Sequence, residues 1–207
     1  YDFLKGASHE LKTPLASLKI ILENMKYNIG KYKNRDLYIS DCIDIVDGLT
    51  HNISQILSVS SLDNLKDDEE LVRIGEVLES VLSKYEVLAN QKEIRLENSL
   101  GEETVYIGKT ALKIILSNLV SNAVKYTGDG GLIKIGVEGC WFYIENSCVS
   151  NKSLDMDKVF EVKFDLNKEN SNGLGLYIVS NLLNNYKIGH KVLQGQSSFV
   201  FKMELNK

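Results

Sequence analysis

Leucine, isoleucine and methionine recur at three- and four-residue steps through the first 29 residues, at Leu4, Leu11, Leu15, Leu18, Leu22, Met25 and Ile29. That period marks one face of an α-helix and does not fit a strand. A second stripe of the same period follows at Ile39, Ile43, Val46, Leu49, Ile53, Ile56 and Leu57. Between them, Gly30-Lys31-Tyr32-Lys33-Asn34-Arg35 reads as a polar turn opened by a glycine C-cap. Two long helices on a short connection form an antiparallel hairpin. The stripes carry more apolar surface than two helices alone can bury. A four-helix bundle made by a symmetric pair of chains is therefore expected.

The pattern changes after the charge run Asp67-Asp68-Glu69-Glu70, which reads as a solvated segment. The division expected is a helical domain over 1–64, a linker over 65–71 and a second domain over 72–207. In the second domain the sequence predicts a short strand at 71–74, a helix at 75–90 and strands at 94–100 and 103–107. A strong helix at 109–126, a strand hairpin at 132–137 and 141–145, a helix at 174–185 and strands at 191–193 and 199–205 follow. The stretch 148–172 is polar and irregular. Helices and strands mix without strict βαβ alternation, which predicts an α+β sandwich with helices on one face of a mostly antiparallel sheet.

Composition excludes several classes. The net charge of −4 argues against a binder of nucleic-acid backbones. No apolar run approaches the roughly 20 residues that span a bilayer, and Tyr1–Lys5 lacks the features of a signal peptide. A start at Tyr rather than Met is expected of a piece of a longer chain. Cys42, Cys140 and Cys148 are odd in number and lack metal spacing, so they read as reduced thiols. His9, His51 and His190 form no metal cluster with them.

Three segments carry chemistry. The first is Ser8-His9-Glu10-Leu11-Lys12-Thr13-Pro14-Leu15. On a helix His9 and Thr13 share a face, with Glu10 beside His9. An imidazole attacks phosphorus through one nitrogen while a carboxylate takes the proton from the other, and Glu10 is placed to be that base. The alternative is a Thr13 N-cap with Pro14 at the first helical position and His9 in a loop. If the segment is helical, Pro14 removes the bond to the Glu10 carbonyl and distorts the helix beside His9.

The second is Leu116–Thr127. At about 100° per residue, Asn118, Asn122 and Lys125 fall on one narrow face, opposite Leu112, Leu116, Leu119, Val120 and Ala123. An amide oxygen suits Mg²⁺, which takes few protein oxygens beside water and phosphate. Lys125 suits phosphate, and Tyr126 a base. The alternative is the solvated face of an amphipathic helix. The third is Ser171-Asn172-Gly173-Leu174-Gly175-Leu176. Glycines at a helix start let backbone N–H groups approach an anion. There is no Walker A motif, which disfavours a P-loop NTPase.

His9-Glu10-x-x-Thr13-Pro14-Leu15 resembles the H-box of bacterial sensor histidine kinases. Leu116 to Thr127 resembles their N-box almost throughout, and Gly173 to Leu176 their G2 box, with Ser171 in place of the usual leading glycine. Val159-Phe160-Glu161-Val162-Lys163-Phe164 resembles the F-box of their ATP lid, with Asp165 near a position where an Arg is often found. Lys163 or Lys168 is left for the phosphate contact. The G1 box departs from the pattern. In Ile144-Glu145-Asn146-Ser147-Cys148, Asn146 stands where the family has an Asp that reads adenine, and the glycines are missing. An Asn still offers adenine an acceptor and a donor, without the charge-assisted bond. Its alternative is a turn residue ending a strand.

The resemblance implies a dimeric helical hairpin carrying the phosphorylated His9, followed by an ATP-binding sandwich of the GHKL type. It implies ATP and Mg²⁺, with Asn122 holding the metal, Asn118 and Lys125 near the phosphates and Tyr126 and Asn146 at the adenine. Gly173, Leu174, Gly175 and Leu176 complete the nucleotide site. His9 would pass its phosphoryl group to an Asp of a cognate response regulator. Thr13 would position water for that regulator's dephosphorylation. The implied setting is a cytoplasmic domain of an inner- or plasma-membrane protein, with its sensor upstream and no direct contact with nucleic acid. The altered G1 box leaves a rival, a degenerate scaffold that binds a response regulator without turning over ATP. A second rival, a chaperone-type or mismatch-repair-type ATPase, is disfavoured by the hairpin.

Overall fold

The computed structural model describes residues 2–61, 69–148, 160 and 174–205. The linker residues 62–68 and most of 149–173 lie outside them. The chain divides into two compact units, one helical and one of mixed α/β structure.

In the helical unit, α1 (Asp2–Lys26) and α2 (Arg35–Ser61) flank a 3₁₀ turn at Gly30–Lys33. The cap differs from the one the sequence suggests. The left-handed residue that ends α1 is Asn28, at φ 53°. Ile29 N–H donates to the Asn24 carbonyl at 3.0 Å and Asn28 N–H to that of Met25 at 3.3 Å, the two bonds of a Schellman motif. An amide side chain tolerates this conformation well enough to replace glycine. Gly30, also at positive φ, opens the 3₁₀ turn instead. Between the helices only Met25, Cys42 and Leu49 are buried among the described side chains. Leu15, Leu22, Ile29, Ile39, Ile43, Val46 and Ile53 remain exposed along the stripes. None of the described helices is long and apolar enough to cross a membrane.

In the α/β unit, β1 (Glu70–Arg73) pairs antiparallel with β3 (Thr104–Ile107) as a small separate sheet. The main sheet has the order β2-β4-β5-β7-β6: β2 (Arg95–Asn98), β4 (Leu132–Glu138), β5 (Trp141–Ser147), β7 (Ser198–Glu204) and β6 (His190–Gln194). Only β2 and β4 are parallel; every other pairing is antiparallel. The period of two buries Ile133 and Ile135 on β4, Phe142 and Ile144 on β5, and Phe201 and Met203 on β7, which puts them on the covered face. The cover is α3 (Ile74–Gln91), α4 (Lys109–Tyr126) and α5 (Leu174–Asn185). Leu112, Ile115 and Leu116 of α4 and Ile178 and Val179 of α5 are fully enclosed.

Two helices end on residues that pay no attention to propensity. Glu93 after α3 (φ 52°) and Lys187 after α5 (φ 55°) are both left-handed. In each case the following isoleucine, Ile94 or Ile188, donates back to Ala89 or Leu183 at 2.9 or 2.8 Å. Burying that isoleucine holds the strained residue in place. Lys187→Gly relieves the strain, so we expect a gain of about 0.5–1 kcal/mol, read as a higher urea midpoint at unchanged slope. An unchanged midpoint would mean that the Lys187 side chain contributes as much as its backbone costs.

Candidate functional site

The amide face of α4 is not a solvated face. Asn118 is only 7% exposed, and its Nδ2 donates to the Ile114 carbonyl at 2.9 Å. Asn122, one turn further, is half-buried. What covers them is the start of α5. A Cβ built on Gly175 would lie 3.1 Å from Asn118 Oδ1 and 3.4 Å from Asn122 Nδ2. A side chain here would press on the amides, and the second and third sequence segments meet at this point. Leu174 opens α5, Leu176 is half-buried beside Gly175, and Gly173 lies outside the described residues.

This close approach separates stability from binding. Gly175→Ala adds about 1 kcal/mol of helix propensity but displaces the amides by a few tenths of an ångström. We expect a melting temperature equal to or above wild type and an affinity for Mg²⁺–ATP lowered about tenfold, the loss of one well-aligned polar contact. Equal affinities would show that the amides do not meet the ligand.

Lys125 and Tyr126 end α4, with Lys125 Nζ 5.5 Å from the Tyr126 ring centroid. Partial desolvation lowers the Lys125 pKa and raises that of Tyr126, so both groups resist a lone charge and an incoming anion would favour the ammonium. The backbone beneath them is held by a residue the sequence analysis did not single out. Lys92 Nζ donates to the carbonyls of Val124 at 2.8 Å, Lys125 at 3.2 Å and Thr127 at 2.5 Å. The first two are orphan acceptors of the helix end, and the third belongs to its C-cap residue. Thr127 Oγ1 donates to the Ala123 carbonyl at 2.7 Å. No local signal points to Lys92, because its partners lie 32 to 35 residues away.

Asn146 is not a turn residue. It is the penultimate residue of β5, paired with Ile133 on β4 and Phe199 on β7. It shares the covered face with Phe142 and Ile144 and is 5% exposed. Its Nδ2 donates to the Ser147 carbonyl at 3.3 Å, and among the described residues no donor meets its Oδ1. A buried polar atom left open in this way invites a ligand donor. Ser147 Oγ accepts from Leu132 N–H at 2.9 Å. Gly131 leaves no room for a Cβ between Thr127 and Ser147, so the end of α4 closes on the end of β5. Buried amides, an open acceptor and a glycine-lined helix start fit a nucleotide better than a metal cluster or a nucleophilic site.

The H-box segment lies in the other unit. Pro14 sits inside α1, which begins at Asp2, so Thr13 is no N-cap and His9 is in no loop. Thr13 is exposed. The side chains of His9 and Glu10 lie outside the described residues. Of the F-box stretch only Phe160 is described; Lys163, Asp165 and Lys168 are not. An apolar cavity of about 290 Å³ between α3, α4, β2 and β4, walled by Leu82, Val120, Val124 and Ile133 among others, includes none of the candidate nucleotide residues.

Residues 108–207 match the family of histidine kinase-, DNA gyrase B-, and HSP90-like ATPases, so the α/β unit is an ATP-binding sandwich. Over 209 residues the chain is 37% identical to the sensor histidine protein kinase HK06 of Streptococcus pneumoniae, covering 99% of this chain and 47% of that protein. It is 29% identical to the sensor protein VanSB of Enterococcus faecalis, covering 98% of this chain and 48% of that one. The histidine kinase AdeS of Acinetobacter baumannii superposes with a TM-score of 0.72 at 24% identity, over 96% of this chain and 98% of that one. The histidine kinase ThkA, solved in complex with the response regulator TrrA, gives 0.74 at 20% identity, over 99% and 60%. This chain belongs to the sensor histidine kinases. It spans about half the length of the curated relatives it matches.

Proposed function

We propose that the chain is the catalytic core of a sensor kinase that phosphorylates its own His9 and passes the phosphoryl group to an Asp of a response regulator. The observation that carries this reading is the meeting of Asn118 and Asn122 with Gly175, in a chain 37% identical to a sensor histidine kinase along almost its whole length. When bound, ATP supplies the phosphoryl group and Mg²⁺ offsets its charge. Asn122 is the metal-holding amide. Asn118, Lys125 and the backbone from Gly173 to Leu176 hold the phosphates, and Tyr126 and Asn146 hold the adenine. One His9 nitrogen attacks phosphorus while Glu10 takes the proton from the other, and ADP leaves. The protein's task is mainly alignment.

The exposed stripes of α1 and α2 support a homodimer through the hairpin, since a second copy would bury Leu15, Leu22, Ile39 and Ile43. The regulator partner rests on the family and on the ThkA complex with TrrA. The setting proposed is the cytoplasmic side of a membrane-anchored sensor. Incubation with labelled ATP–Mg²⁺ followed by mapping of the labelled residue tests the reading. The scaffold alternative predicts no Mg²⁺-dependent ATP affinity.

Thr13 is assigned to regulator dephosphorylation. Thr13 is an exposed residue one turn beyond His9, and its hydroxyl lacks the acid or base strength to assist an imidazole. Thr13→Ala is expected to leave His9 labelling within about twofold and to slow phosphate loss from the regulator about tenfold or more. Glu10→Gln is expected to do the reverse. Equal losses of both activities in Thr13→Ala would refute the division of labour.

A further inference from the structure

His190 opens β6 and stands at a corner between three elements. Its ring centroid is 5.1 Å from that of Phe160, with the planes at 86°. Phe201 of β7 stacks near His190 at 6.5 Å and 22°, and meets Phe160 at 6.5 Å and 79°. Phe201 is buried on the covered face of the sheet, so the corner has a rigid floor.

Two hydrogen bonds fit one tautomer of a neutral His190 ring. Nδ1 is 3.2 Å from the Ile188 carbonyl, which can only accept, so Nδ1 carries a proton. Nε2 lies 2.9 Å from the Ser180 hydroxyl oxygen. Ser180 lies on α5, five residues beyond Gly175. Asn184 Nδ2 reaches the Ser180 oxygen at 3.5 Å, one turn further along the same helix. One imidazole thus joins the aromatic seat of Phe160 to the helix whose start faces Asn118 and Asn122. An aliphatic side chain of comparable volume at 190 would fill the corner but make neither link.

We propose that His190 is a positioning residue for nucleotide binding, holding Phe160 in register with α5. The inference rests on the kinase reading above, since Phe160 belongs to the stretch that resembles the F-box. His190 touches no reacting atom; it acts through Phe160 on one side and Ser180 on the other.

The test is a double-mutant cycle on the full chain, reading the Kd for Mg²⁺–ATP, the KM and kcat of autophosphorylation, and the melting temperature. His190→Leu and Phe160→Leu are each expected to raise Kd and KM about five- to tenfold, the worth of one aromatic pair, with kcat within about twofold. The double variant should be no weaker than the worse single one. His190→Phe keeps an aromatic ring against Phe160, and read beside the melting temperature it guards against simple unfolding. It should recover part of the affinity, and Ser180→Ala should match it. Additive losses, or a lowered melting temperature with wild-type Kd, would overturn the coupling. A wild-type chain that binds no Mg²⁺–ATP would sink the kinase reading and this inference with it, whereas wild-type binding with indifferent variants would sink this inference alone.

Discussion

His9→Gln is expected to abolish stable ATP-dependent labelling of the chain while leaving its fold and its affinity for Mg²⁺–ATP unchanged. Position 9 lies within α1, where Gln is at least as good a helix former as His, so the helix survives. Asn118, Asn122, Lys125, Tyr126, Asn146 and Gly175, the residues proposed to meet the nucleotide, belong to the other unit, so binding is not expected to depend on the imidazole. What disappears is the nucleophile. Removing such a group typically costs on the order of 10³ or more in rate, which takes labelling below detection. Acid-labile, alkali-stable label on the wild type and none on the variant is the expected pair of results. Label of the same chemistry persisting on His9→Gln would place the acceptor elsewhere, with His51 and His190 the next to examine.

Asn146→Leu is expected to weaken Mg²⁺–ATP binding about 10- to 100-fold, while Asn146→Asp stays within a few-fold of wild type. The side chain is buried on the covered face of β5, two residues from Ile144 and in register with Ile133. A leucine branches at Cγ as asparagine does and suits that apolar surrounding, so the variant should melt close to wild type. Only ligand recognition should suffer. The loss corresponds to one or two hydrogen bonds in a water-poor site, about 1–3 kcal/mol. Asp retains an acceptor for an adenine amino group and strengthens it by its charge. Equilibrium binding of ATP with ITP as the control separates base reading from phosphate binding, because the penalty should shrink for the base that lacks the amino group. Equal ATP affinity in Asn146→Leu and wild type would leave Asn146 as a structural strand residue, with adenine read by other groups.

Most elements were legible because their periods are strong. Helix α4 begins at Lys109 and ends at Tyr126, as its apolar stripe predicts, and the β4–β5 hairpin follows from alternation around Cys140. The helix period placed Asn118, Asn122 and Lys125 together but could not say what faced them. That required Gly175, more than 50 residues away, and only the motif resemblance joined the two in advance. Local rules also gave the wrong terminator for α1, because Asn28 holds the left-handed position two residues before the glycine. Glu93 and Lys187 carry no sign of positive φ, since tertiary burial of the next isoleucine selects that conformation. The sheet order, the parallel β2–β4 pairing and the Lys92 contacts are long-range outcomes of packing that no window of neighbouring residues encodes.

The three carbonyls gathered by Lys92 alter the electrostatics of the site they support. A helix presents partial negative charge at its C-terminal end, roughly half an elementary unit, and that is the end of α4 bearing Lys125 and Tyr126. A polyphosphate brought there would meet a repulsive pole. The ammonium on Val124, Lys125 and Thr127 quenches that pole from inside the protein, and Lys125 stands at its rim. A full charge against a half-unit pole leaves this helix end with no net repulsion for an anion, so it no longer opposes the attractive pole of a different helix, the start of α5.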